Sequence, residues 1–122
     1  MNWSANLILQ AVAETDRTLS TWADYLSRDE FFELGHDPVV LGRLGELGEE
    51  MRPGRAPMRQ AMSYFAARGE LEKTTQLLRS IRLKNQGTVS QTAKFLTQAE
   101  TCRLTFHKWA SLLQQDTFRK LH

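Results

Sequence analysis

TVSQTAKFLTQAETCRLTFHKWASLLQQDTF, residues 88–118, is the stretch that decides the fold. Thr92, Phe95, Ala99, Cys102, Phe106, Trp109 and Leu113 follow alternating steps of three and four without a break. A helix turns once every 3.6 residues, so this alternation sets all seven on one stripe. A strand would instead alternate apolar and polar at every second position. The spacing predicts one continuous helix over these 31 residues, about 46 Å long at the usual rise per residue. That is long for a 122-residue chain, so one end is expected to project or to pair with another chain.

The same rhythm runs through the N-terminal part. Ile8, Val12, Thr15, Leu19, Trp22 and Leu26 predict a helix over about 4–27, with Ser4 as its N-cap. Residues 29–34 read as a short helical turn that Gly35 stops. Asp37 and Pro38 suit the cap and first position of a second helix over 38–51, with Val40, Leu44, Leu47 and Met51 as its stripe. Gly42, Gly45 and Gly48 interrupt it, each at a cost of about 1 kcal/mol against alanine. Either they let another helix approach closely or they loosen the segment. Residues 52–57, Arg-Pro-Gly-Arg-Ala-Pro, read as a loop. A third helix is expected from Pro57 to just before Gly69, with Met58, Met62 and Phe65 on one face, and a fourth over 70–85, with Leu71, Leu78 and Ile81 inward. Strand signals are missing, since Val39-Val40 is the only β-branched pair. The expected fold is therefore all-α: one domain, a compact bundle of four to five helices with a long C-terminal helix.

Composition bounds the function. An apolar fraction of 41% and a charged fraction of 25% are ordinary globular values. No run of 18 apolar residues suggests a membrane span. The single Cys102 suits a reducing, cytoplasmic setting, and no basic stretch precedes the first apolar residues as a secretory signal requires. The net charge of +2 conceals a split. Residues 1–50 hold 10 acidic and 3 basic side chains, a balance of −7; residues 51–122 hold 13 basic and 4 acidic, a balance of +9. The sequence thus divides at the 52–57 loop into an acidic subregion, 1–51, and a basic one, 52–122.

Eight cations fall within 52–84, and six of them are arginine. The planar guanidinium fork matches phosphate geometry, and several cations together bind a polyanion by releasing its counterions. Arg52, Arg55, Arg59, Arg79, Arg82 and Lys84 are the candidate phosphate contacts. The opposing reading is that these bases pair with the chain's own acidic part, within one copy or between copies. Phe118-Arg119-Lys120-Leu121-His122 adds two cations as a possible contact tail.

Other motifs carry less chemistry. Residues 86–96, Gln-Gly-Thr-Val-Ser-Gln-Thr-Ala-Lys-Phe-Leu, resemble the first helix of helix-turn-helix DNA-binding domains. The pattern then departs, because Thr97 stands at the turn glycine and Gln98 at the apolar position after it. Residues 64–72, Tyr-Phe-Ala-Ala-Arg-Gly-Glu-Leu-Glu, resemble the αα-hairpin turn of tetratricopeptide or pentatricopeptide repeats, but no second copy follows at their period, which leaves an ordinary αα-hairpin turning at Gly69. Gly42-x-x-Gly45-x-x-Gly48 lacks the Lys-Ser/Thr ending of a phosphate loop. His36, His107 and His122 show no metal-ligand spacing, and Cys102 and His107 diverge by about 140° around a helix. Trp22, Phe95, Phe106 and Trp109 lie on seams and belong to a core; Trp3, Phe31, Phe32 and Tyr64 are freer for partner contacts.

No catalytic, metal or cofactor set emerges, so an enzyme is not expected. In size, helicity and charge the chain is similar to the small helical subunits of CRISPR surveillance complexes, a likeness of architecture that no motif carries. The −7/+9 charge split motivates the leading expectation, a non-enzymatic accessory subunit that binds a nucleic-acid backbone without reading sequence, within a larger complex. The alternative is a protein–protein interaction module, whether adaptor, inhibitor or self-associating bundle.

Overall fold

Four helices make up the described part of the computed structural model: α1 (Ala5–Ser27), α2 (Val39–Leu47), α3 (Met58–Leu83) and α4 (Val89–Leu121). The described residues are 5–27, 39–52, 54–83 and 89–121, without the side chains of Ala5, Tyr25, Ser27, Arg82, Leu83, Val89 and 116–121. No strand occurs among them. The expected short turn at 29–34 lies outside them.

α4 is the spine. Phe95, Ala99, Cys102, Phe106, Trp109 and Leu113 are all buried, as their spacing predicts. Ile8, Val12, Thr15, Leu19 and Trp22 of α1 are buried as well, and Leu26 packs against them. Thr15 fits this apolar row because its Oγ1 donates to the Ala11 carbonyl at 2.8 Å, so no polar atom is stranded.

Side-chain pairs fix the helix directions. Asp16 meets His107 and Trp22 meets Phe95, so α1 and α4 run antiparallel. Gln60 meets Trp109 and Glu70 lies against Gln98, so α3 and α4 do too. α2 reaches α1 through Arg43 and Glu14, and α3 through Leu44 and Tyr64. Each helix thus adjoins the next in sequence and α4 closes on α1, an up-and-down bundle. α2 has 9 residues where the others have 23 to 33, so it fills its corner only in part. A groove of about 830 Å³ remains between α2 and α3.

Two sequence expectations fail in α3. The first is the break at Gly69, which instead sits inside one 26-residue helix. Its neighbours explain why: Tyr64, Ala67, Leu71, Thr74, Thr75 and Leu78 form one buried seam across it. Burying Leu71 and Leu78 contributes roughly 1.5–3 kcal/mol each, more than the roughly 1 kcal/mol that a helical glycine costs. The described residues accordingly hold four helices, and 64–72 is no hairpin turn.

The second is the facing of Tyr64, which the sequence leaves free for partner contacts; the outward face belongs to Met58, Met62 and Phe65. They are exposed, at 59, 64 and 50%. The inward side belongs to Gln60, Ala61, Tyr64 and Ala67. Gln60 Oε1 accepts a hydrogen bond from Trp109 Nε1 at 3.0 Å, and the Tyr64 and Trp109 rings meet edge-on at 5.8 Å. Turning the methionine row inward would swing Gln60 away and strand a buried indole N–H. Tyr64 is therefore core, not the free aromatic the sequence suggests.

Tyr64 also closes the end of α2. The Gly48 N–H bonds to the Gly45 carbonyl at 3.2 Å, which leaves the Leu44 carbonyl open. Tyr64 Oη donates to that carbonyl at 2.5 Å. A Cβ at Gly48 would lie 3.0 Å from Tyr64 Oη, so this glycine does admit a close approach; at Gly42 and Gly45 a Cβ would meet nothing within 4 Å. The loop at 52–57 turns through Gly54, whose φ of 95° suits glycine.

Candidate functional site

The four candidate phosphate contacts whose side chains are described, Arg52, Arg55, Arg59 and Arg79, do not form one patch. Arg52 and Arg55 share a single carboxylate oxygen, Glu49 Oε1, at 3.2 and 3.7 Å. Arg59, in the first turn of α3, has no ion-pair partner among the described residues. Arg79 lies in the α2–α3 groove with Arg43 and Arg68. It is 20 residues beyond Arg59, about 30 Å along the helix and nearly on its opposite side. The Arg82 side chain and Lys84 lie outside the described residues, as do Trp3, Phe31, Phe32, His36 and the residue 116–122 side chains.

The acidic and basic subregions interleave on folding. Arg43 Nη1 pairs with Glu14 at 2.5 Å inside the acidic half. Glu49 reaches across the boundary to Arg52 and Arg55. His107 Nε2 meets Asp16 at 2.7 Å from the far end of the chain. In the α2–α3 groove, Tyr64 Oη accepts from Arg68 Nη1 at 3.0 Å, which together with Glu72 holds the guanidinium further above its usual value. Glu46 and Glu72 line the same groove, so its three arginines face two carboxylates.

A different surface stands out on the opposite side of α3. A groove of about 520 Å³ between α3 and α4 is lined by Arg59, Met62, Ser63, Lys108, Ser111, Leu112 and Gln115, two cations and no acid. Met58, Met62 and Phe65 rise beside it, one helical turn or so apart. Phe65 is held by an edge-on contact with Tyr64 at 5.0 Å. Lys108, like Arg59, has no ion-pair partner among the described residues. The sequence gives no sign of this pairing, because Lys108 lies 49 positions from Arg59.

Cys102 is fully buried, and burial pushes its thiol up to about 12. His107 is on the surface with Asp16. Among the described residues no three His, Cys, Asp or Glu side chains gather as a metal site, and no helix is long and apolar enough to cross a membrane. The helix-turn-helix resemblance ends in a continuous α4, where Gln98 Nε2 donates to Glu70 Oε2 at 2.7 Å and ties α4 to α3.

No family model, curated protein or solved structure matches this chain.

Proposed function

We propose that this protein is a non-enzymatic interaction module that engages another protein surface through α3 and the adjoining face of α4. One observation carries the reading: Met58, Met62 and Phe65 form an exposed apolar row on a helix that already has a complete buried seam. The row adds nothing to the core, and leaving three large apolar side chains in water forfeits their burial. Methionine is flexible and polarizable, which suits a surface that adapts to a partner. The test is a photo-activated cross-linker placed at Met62, with exposed Ser20 as control, in cells making the chain at its natural level. An adduct from position 62 and not from position 20 supports the reading. Absence of any adduct at 62 rejects it.

A second reading, an accessory subunit gripping a nucleic-acid backbone in a cytoplasmic complex, draws on the cations the fold leaves in surplus. Arg52 and Arg55 share one carboxylate, and Arg59 and Lys108 have none among the described residues. Exposed ion pairs of this kind are worth about 0–1 kcal/mol, so phosphate can displace them. Titration of single- and double-stranded DNA and RNA across salt concentrations tests it. The reading requires binding that weakens steeply with salt and is lost when Arg52, Arg55 and Arg59 become alanine. No binding at low salt removes it.

A further inference from the structure

We propose that the α3 row docks into the α1–α2 groove of a second copy of this chain. The inference rests on the reading of that row as a contact surface and names its occupant. The α1–α2 groove holds about 480 Å³ and is lined by Leu7, Gln10, Arg43, Glu46, Leu47 and Glu50. Its apolar wall includes Leu7, which is 46% exposed. Its one cation, Arg43, is already neutralised by Glu14 at 2.5 Å. Glu46, by contrast, is exposed and has no ion-pair partner among the described residues. The groove is therefore acidic with an apolar wall.

The α3 surface is its complement. It offers an exposed apolar row, with Arg59 and Lys108 beside it and no acid among the described residues of the adjoining groove. Ridge into groove is how helical surfaces pack, and Arg59 of one copy then faces Glu46 of the next. Charge selects this pairing over the simplest alternative. Row against row, about a twofold axis, would bring Arg59 and Lys108 against their own duplicates, and like charges across an interface are repulsive. A contact between two different patches leaves each copy with one row and one groove still to satisfy, unless the assembly closes.

The test is sedimentation equilibrium of the full chain over a range of concentrations and salt. Association that strengthens with concentration and weakens with salt is expected. Met62→Asp, Arg59→Glu and Glu46→Arg are each expected to weaken it by at least about tenfold. All three positions are exposed, and unchanged circular dichroism melts verify that the variants fold. The double variant Arg59→Glu with Glu46→Arg is expected to recover association to within about threefold of the original, because the swapped charges again face each other. A monomer at every concentration in low salt overturns the proposal. So does association that Met62→Asp removes but Glu46→Arg leaves unchanged, which would mean row against row. The cross-linking experiment at Met62 separates this failure from that of its parent reading: an adduct to a different protein removes the second copy and keeps the contact surface, whereas no adduct removes both.

Discussion

α1 and α3 are helices of similar length that pack against the same partner, α4, yet only one of them is legible from its apolar residues. In α1, every member of the apolar seam is buried or packed against the core. In α3 the apolar residues divide into two rows. Met58, Met62 and Phe65 face water, while the row that holds the bundle contains Gln60, Ala61, Tyr64, Ala67, Thr74 and Thr75. Helical spacing is satisfied by both rows. What selects between them is a partner 49 residues away, the Trp109 N–H whose hydrogen bond Gln60 accepts. Period identifies a helix; the buried polar partners decide which way it turns.

The largest break in this comparison comes from the inward side. Trp109→Ala is expected to destabilise the fold by about 3–5 kcal/mol, measured by urea unfolding. A loss below about 1 kcal/mol would show that the inward row of α3 is not what holds it to α4. Gln60→Leu should cost about 1–3 kcal/mol in the same assay, since it keeps the volume and strands the indole N–H. An unchanged midpoint would mean another group takes that proton. Gly69→Ala is expected to stabilise by about 1 kcal/mol, because a Cβ there meets nothing within 4 Å and the residue lies mid-helix. Destabilisation would instead point to a turn at that position. The outward row should barely register on stability: Met62→Ser and Phe65→Ser are each expected to fall within about 0.5 kcal/mol of the parent chain.

The smallest effect belongs to α4's outer face. Arg103 donates to both oxygens of Glu100, at 2.9 and 2.6 Å, and this holds the Glu100 carboxyl below its ordinary value. A carboxyl lowered by folding contributes its stability above the unfolded-state value and loses it as pH falls through the folded-state one. Here both partners are exposed to water, so Glu100→Gln should leave thermal melts unchanged at about pH 7 and about pH 3 alike. A clear shift at the higher pH alone would show an ion pair stronger than its exposure implies.

The same logic explains how much of the rest was visible in the chain. The α4 stripe, the α1 seam and the 52–57 loop follow from local spacing and turn chemistry. The merger of two expected helices at Gly69 does not, because glycine signals a stop locally and only the seam on both sides overrides it. Of the candidate contacts among the described residues, Arg59 alone joins the basic groove of α3 and α4. Arg52 and Arg55 are drawn to Glu49, and Arg79 faces the other side of its helix. Lys108 and Glu46 are not marked by any motif, since each lies in a groove whose two walls come from different helices. The charge split is real in the sequence, but folding interleaves it.

The thiol at Cys102 turns this bundle into its own stopwatch. It sits on the α4 seam beside Thr74 of α3, fully buried, with burial pushing it up to about 12. Alkylating reagents attack the thiolate, so the folded chain is protected twice, by inaccessibility and by lack of ionisation. Both protections vanish together when α3 and α4 part. The rate at which iodoacetamide consumes this thiol therefore counts openings of the central seam one molecule at a time, with no label added to the chain.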